Sequence, residues 1–142
     1  MVAGAWLLAG CVGTKPSAAS DAPIRRIYVA DAVGTASADF RGLNDVVHDT
    51  AVRALQEKGY VAVAEPVAAE AILSASWHRR PSEAGSLAGR VGLRLVLESR
   101  DGSKLFMAEP IDGIQAAFLT SARVADSVRS GLSQVPPAPL VR

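Results

Sequence analysis

The sequence predicts an α+β fold: a two-layer sandwich with the element order β-α-β-β-β-β-α. Two helices pack on one face of a mixed, mostly antiparallel sheet. Three observations lead there. Apolar residues recur at helical spacing in two separate stretches, 43–58 and 120–132. Between them lie short runs of alternating or β-branched residues. An Asp-Gly pair, Asp101-Gly102, joins two of those runs as a hairpin signal. Two helices are too few to cover both faces of a five-stranded sheet, so one face is expected to be partly wet.

Ile24 to Asp31 is a β-branched and aromatic run, read as a strand. Gly34 to Gly42 is rich in Gly, Ala and Ser and reads as a loop. Leu43 to Lys58 places apolar side chains at 43, 46, 47, 51, 54 and 55, one helical stripe, and Gly59 follows as its C-terminal stop. Tyr60 to Ala64 is a second strand, ended by Pro66, and strand–helix–strand implies a right-handed parallel crossover. In Ile72 to Arg79, Leu73, Ala75 and Trp77 share one face, and Ser74, Ser76 and His78 the other. Pro81 to Gly89 is a loop. Val91 to Ser99 alternates with Leu93, Leu95 and Leu97 inward, opposite Arg94 and Glu98. Lys104 to Ala108 returns as the hairpin partner, extending past Pro110 toward Ile114. The closing helix carries Val124, Ala125, Val128 and Leu132 on one side, with Thr120 or Ser121 as its N-cap. The expected core is Leu43, Val47, Ala51, Leu55, Leu93, Leu95, Leu97, Val124 and Val128.

The 142 residues suffice for one domain, and 49% hydrophobic with 20% charged residues excludes a disordered chain. A net charge of +1 excludes strong global steering toward nucleic acid. One cysteine excludes an intramolecular disulfide. No apolar run reaches the ~18 residues of a spanning helix.

The N-terminus reads as an address. Met1 to Gly10 is wholly apolar, of the length of a signal-peptide apolar region, and Cys11 follows directly. Leu8-Ala9-Gly10-Cys11 resembles the lipobox of bacterial lipoproteins. Small residues at Ala9 and Gly10 admit the peptidase, and the Cys11 thiol takes a diacylglycerol. Several acyl chains, at ~0.8 kcal/mol per buried methylene, hold a protein on a membrane where one would not. No basic residue precedes Lys15, although a signal peptide ordinarily starts with one; an upstream start, inefficient export and a chance match all stay open. The expected organisation is a signal peptide over 1–10, a Ser/Ala/Pro/Gly tether over 11–23, one globular domain over 24–137 and a tail over 138–142. Val12, rather than an acid, follows the cysteine, which by resemblance to Gram-negative lipoproteins implies the outer membrane.

The domain resembles the small envelope lipoprotein family catalogued as domain of unknown function 4136. The likeness covers nearly all of the mature chain. It rests on Ile27-Tyr28-Val29, on Leu55 with Lys58-Gly59-Tyr60, on Ala69 to Leu73, on the hairpin Leu93 to Met107, and on a last helix running into Val135-Pro136-Pro137. Glu70 stands where the family tends to have Asp, and Phe106 replaces its usual aromatic. The resemblance implies an envelope location and this fold, and brings no settled activity.

No catalytic constellation is legible, and no catalytic residue, cofactor or metal is expected. There is no nucleophile elbow, since Gly85-Ser86-Leu87-Ala88-Gly89 has its serine one place early. His48 lies between Asp45 and Asp49 on a helix, weak metal chemistry at best against a solvated polar face. His78 reads as an ordinary edge histidine. Charge is uneven: residues 1–71 carry 6 basic and 8 acidic side chains, net −2, and residues 72–142 carry 9 and 6, net +3. Arg79, Arg80, Arg90, Arg94 and Arg100 fall within 22 positions and are candidates for binding an anionic envelope surface. The expected function is a non-enzymatic binding or assembly accessory of the envelope, facing the periplasm. Its expected partners are the membrane through lipidated Cys11, and anionic lipid headgroups or another envelope protein, without nucleic acid. The alternative is an envelope hydrolase or metal-dependent enzyme with an unrecognised site.

Overall fold

The computed structural model describes residues 23–34, 41–80 and 89–139. In chain order it contains β1 (Arg26–Val29), β2 (Val33–Gly34), α1 (Arg41–Glu57), β3 (Val61–Val63), β4 (Ala71–Arg80), β5 (Arg90–Ser99), β6 (Lys104–Gln115) and α2 (Ser121–Leu132). The α+β architecture is the one the sequence predicts. The addition is β2, two residues that lie parallel to β4 at Val33↔Ser76 and Gly34↔Trp77. A strand this short has no periodicity to read, and its Gly34 (φ +116°) sits where a Cβ would collide with the Trp77 carbonyl.

The sheet runs β3-β1-β4-β5-β6, with β2 also on β4. β1 is parallel to both β3 and β4. The β4–β5 and β5–β6 pairs are antiparallel and contain most of the paired residues. β1 and β3 are parallel, as a crossover through α1 requires.

Both helices cover the same face. Leu73, Ala75 and Trp77 on β4, Leu93, Leu95 and Leu97 on β5, and Ile111 on β6 are buried there. They meet Val47, Ala51, Ala54 and Leu55 of α1 and Val124, Val128 and Leu132 of α2. Leu43, in the first turn of α1, packs against this core only in part. Arg94 points to the other face, which along β5 and β6 is exposed or half-buried except at Gly92. Thr120 is the N-cap of α2, its hydroxyl accepting from the Arg123 N–H at 3.2 Å.

The β5–β6 turn lies one residue earlier than an Asp-Gly-centred turn requires. The Gly102 N–H donates to Ser99 O at 2.9 Å, which places Arg100 and Asp101 at the turn's centre. Among the described residues only glycines have positive φ, and Gly102 (φ +87°) takes the left-handed position that follows. This is a three-residue loop closed by a glycine bulge, which avoids placing Asp101 at positive φ. β6 continues through Pro110 to Gln115, with register shifts that absorb the proline.

The chain beyond α2 is docked. Lys58 Nζ donates to Ser133 O at 3.1 Å and Val135 O at 2.6 Å, and Tyr60 Oη donates to Pro136 O at 2.8 Å. Ala138 N–H donates to Lys58 O at 2.8 Å, so the docked segment runs one residue past the expected boundary at 137. Burial raises the Tyr60 phenol above its usual range.

Candidate functional site

One end of the sheet collects the chain entry, the turn before β4 and the β5–β6 turn. The parallel β1–β4 ladder begins at Ile27↔Ala71. The amides just before it therefore need another acceptor, and Glu70 supplies one. Its Oε2 accepts from Arg25 N at 2.7 Å and Arg26 N at 3.0 Å, and its Oε1 accepts from Arg26 Nη2 at 3.3 Å. Its own N–H donates to Arg26 O at 2.9 Å, and its carbonyl accepts from Arg100 N at 3.0 Å. One residue thus joins β1, β4 and the β5–β6 turn. The Arg25 amide above all, then the Arg26 amide, holds the Glu70 carboxyl below its usual range.

Beside this clasp lies an open cleft of about 360 Å³. Ile24, Val67 and Leu105 give it apolar walls, and Arg26, Glu70, Arg100 and Asp101 its charge. Pro66–Ala68 form one turn of 3-10 helix that presents Val67 at 66% exposure; Leu105, at the start of β6, is 46% exposed. Asp101 accepts from the Ser99 hydroxyl, and from Ser103 N at 3.0 Å. The Ser99 hydroxyl is the larger cause holding its carboxyl below the usual range. The cleft can hold an amphiphilic group, with an apolar body on its walls and charges at its mouth. Arg26, Val67 and Leu105 carry no local signal of a site in the sequence. The readable signal was an acid, Glu70, directly before an apolar strand.

The five expected arginines do not share one surface. Arg80 and Arg90 are register partners, and Arg79 pairs with Val91. Arg79 therefore takes the register face of the buried Trp77 and Val91, and Arg90 and Arg94 the opposite one. Arg94 is bound to Glu109, its Nη2 at 2.6 Å and its Nε at 3.0 Å from Oε1. Arg100 stands at the other end of β5, roughly 30 Å from Arg90 at ~3.3 Å per residue. A ten-residue strand separates residues that are close in sequence.

The histidines are also apart. His48 Nδ1 lies 3.4 Å from Asp49 Oδ1 on α1, and His78 is on the open face of β4. Among the described residues no three His, Cys, Asp or Glu side chains gather as a metal site. A second hollow, of about 350 Å³, lies between Asp31, Ala32, Asn44 and Asp45; Asn44 Oδ1 there accepts from Trp77 Nε1 at 2.8 Å. Leu8, Ala9, Gly10 and Cys11, and Gly85 to Ala88 around Ser86, lie outside the described residues. No helix among the described residues is long and apolar enough to cross a membrane.

No family model and no curated protein matches the chain. Solved structures do. A PelC dodecamer from Paraburkholderia phytofirmans is 17% identical, with a TM-score of 0.55 over 83% of this chain and 90% of that one. A variant PelC dodecamer from the same organism is 19% identical, with a TM-score of 0.52 over 78% and 85%. Protein XCC0632 from Xanthomonas campestris is 19% identical, with a TM-score of 0.38 over 80% and 79%. At these identities the likeness to PelC is one of fold.

Proposed function

We propose that this protein is a bacterial envelope lipoprotein, acylated at Cys11 and held in the outer membrane facing the periplasm. Its folded domain acts without catalysis, as an assembly accessory whose copies associate. The observation that carries this reading is the sheet's open edge and face. Among the described residues β6 is a 12-residue terminal strand of the sheet, and Met107, 59% exposed, stands beside Val96 on the face that neither helix covers. An unpaired edge beside exposed apolar side chains is a ready surface for another chain. The lipobox and the likeness to the envelope lipoprotein family support the location. PelC, which has this fold, is a dodecamer, and that supports association of like copies.

Chemical cross-linking of the lipidated full-length protein in intact envelopes tests the reading. A ladder of multiples of the monomer mass is expected, and Met107→Arg should abolish it while leaving the circular dichroism spectrum unchanged. A wild-type pattern of monomer alone would overturn self-association.

A further inference from the structure

We infer that the cleft between Val67, Leu105 and Arg100 is the domain's membrane-facing surface and seats a zwitterionic phospholipid headgroup of the bilayer that anchors the chain. The inference rests on acylation at Cys11 as proposed above. Its own grounds are the position, walls and charge of the cleft.

Twelve residues separate Cys11 from Ile24, and Ile24 is itself a wall of the cleft. That length reaches at most about 45 Å at ~3.3–3.6 Å per residue. The attachment point therefore keeps the domain at high local concentration beside the bilayer, with this end the nearest to it along the chain. β6 leads away from it for 12 residues, so Phe118, just beyond, lies roughly 35 Å from Leu105. Of the exposed large apolar side chains, Val67 and Leu105 line the cleft at the attached end, and Phe118 marks the far one.

The walls suit an interface. Val67 and Leu105 are exposed apolar side chains flanking charged ones, the pattern of a surface that enters the headgroup region without spanning it. The charge selects the headgroup. Arg26 and Arg100 are balanced by Glu70 and Asp101, so the cleft's formal charges sum to zero. Arg26 is already paired with Glu70. Arg100 is exposed and in no ion pair among the described residues, leaving its planar fork for a phosphate. Asp101, held ionised, faces the same mouth and suits the ammonium. An anionic headgroup would satisfy only one of the two.

The test uses the lipidated full-length protein, in which acylation blocks Cys11. Because the chain has one cysteine, Val67→Cys then offers a single thiol for a polarity-sensitive fluorophore. Phe118→Cys is the matched control. Each labelled protein is reconstituted into phosphatidylethanolamine/phosphatidylcholine vesicles, with and without phosphatidylglycerol, and floated on a density gradient. The inference expects flotation, a blue shift at position 67 in both vesicle types, and no shift at 118. Arg100→Gln should weaken the shifted population about tenfold, the equivalent of the ~1.5 kcal/mol at the lower end for one hydrogen bond to a charged group. Flotation without a shift at 67 would overturn the inference and leave the anchor intact. Failure to float would overturn the anchor, and this inference with it. A shift only with phosphatidylglycerol would overturn the zwitterionic assignment. A shift produced by inorganic phosphate without vesicles would make the cleft a soluble-phosphate site, and likewise overturn it.

Discussion

The imidazole of His78 lies over Gly92, its register partner across the β4–β5 ladder. A Cβ at Gly92 would collide with Nε2 and Cε1 of that ring. The pair sits on the face without helices, where His78 is half-buried and Gly92 buried beneath it. A bare glycine leaves a gap in a strand, and a flat ring from the neighbouring strand fills it. His78, an ordinary edge histidine by sequence, is therefore a packing residue.

Gly92→Ala should destabilise the domain by about 1 kcal/mol, the low end for an added methyl, because the ring atoms it meets are the far end of a side chain, while the Ile111 carbonyl oxygen lies 3.1 Å away. His78→Ala in the same chain should recover part of the loss by vacating the space. Urea denaturation of the two single variants and the double variant measures the coupling. Simple additivity would show that the ring does not set the requirement for glycine.

Leu95 is fully buried, on the sheet face that meets α2. Leu95→Ala should cost about 2–5 kcal/mol through lost contacts and residual cavity. Arg94→Ala, one position away on the opposite face, should cost about 1 kcal/mol or less, because its ion pair with Glu109 is solvent-accessible. Equal losses in denaturant unfolding would contradict the strand's orientation.

Glu70 titrates below its usual range because amides of Arg25 and Arg26 donate to its carboxylate. A carboxyl depressed by folding contributes stability that is fully present above its unfolded pKa, about 4.3. That contribution falls away as the pH drops through the lower folded value. Glu70→Gln should therefore destabilise the protein near neutrality and flatten the acid limb of its pH–stability curve below about pH 4. Melting temperatures from pH 7 down to pH 2, compared with wild type, check this. Parallel curves would mean the clasp is not linked to folding.

Cys11→Ala should leave the precursor unacylated and uncleaved. Metabolic labelling with palmitate in a bacterial host reads the first, and the mobility of the chain the second. Unchanged labelling would remove Cys11 as the anchor, and the proposed location would fall with it.

Much of the fold was legible because its signals are local. The helical stripe of α1, the alternation Leu93–Leu95–Leu97 and the Thr120 cap each depend on residues within one or two turns of chain. β2 was not legible, since two residues carry no period and only β4 gives them a partner. The turn at Arg100 lies one residue before an Asp-Gly-centred one, because Asp-Gly fits two loop types and the register of β6 chooses between them.

By itself the sequence determined the α+β class, the inward face of β5 and both helix stripes. Each follows from side-chain periodicity. The tertiary structure alone decided which distant residues meet. It drew Ile24, Val67, Arg100 and Leu105 to one cleft and placed Glu70 under the amides of Arg25 and Arg26. It also set Arg100 a full strand away from Arg90, although the two are only ten positions apart. The physical reason is that an extended strand converts closeness in sequence into separation in space, at ~3.3 Å per residue. Register then brings remote segments together across its ends, and no local pattern encodes that register.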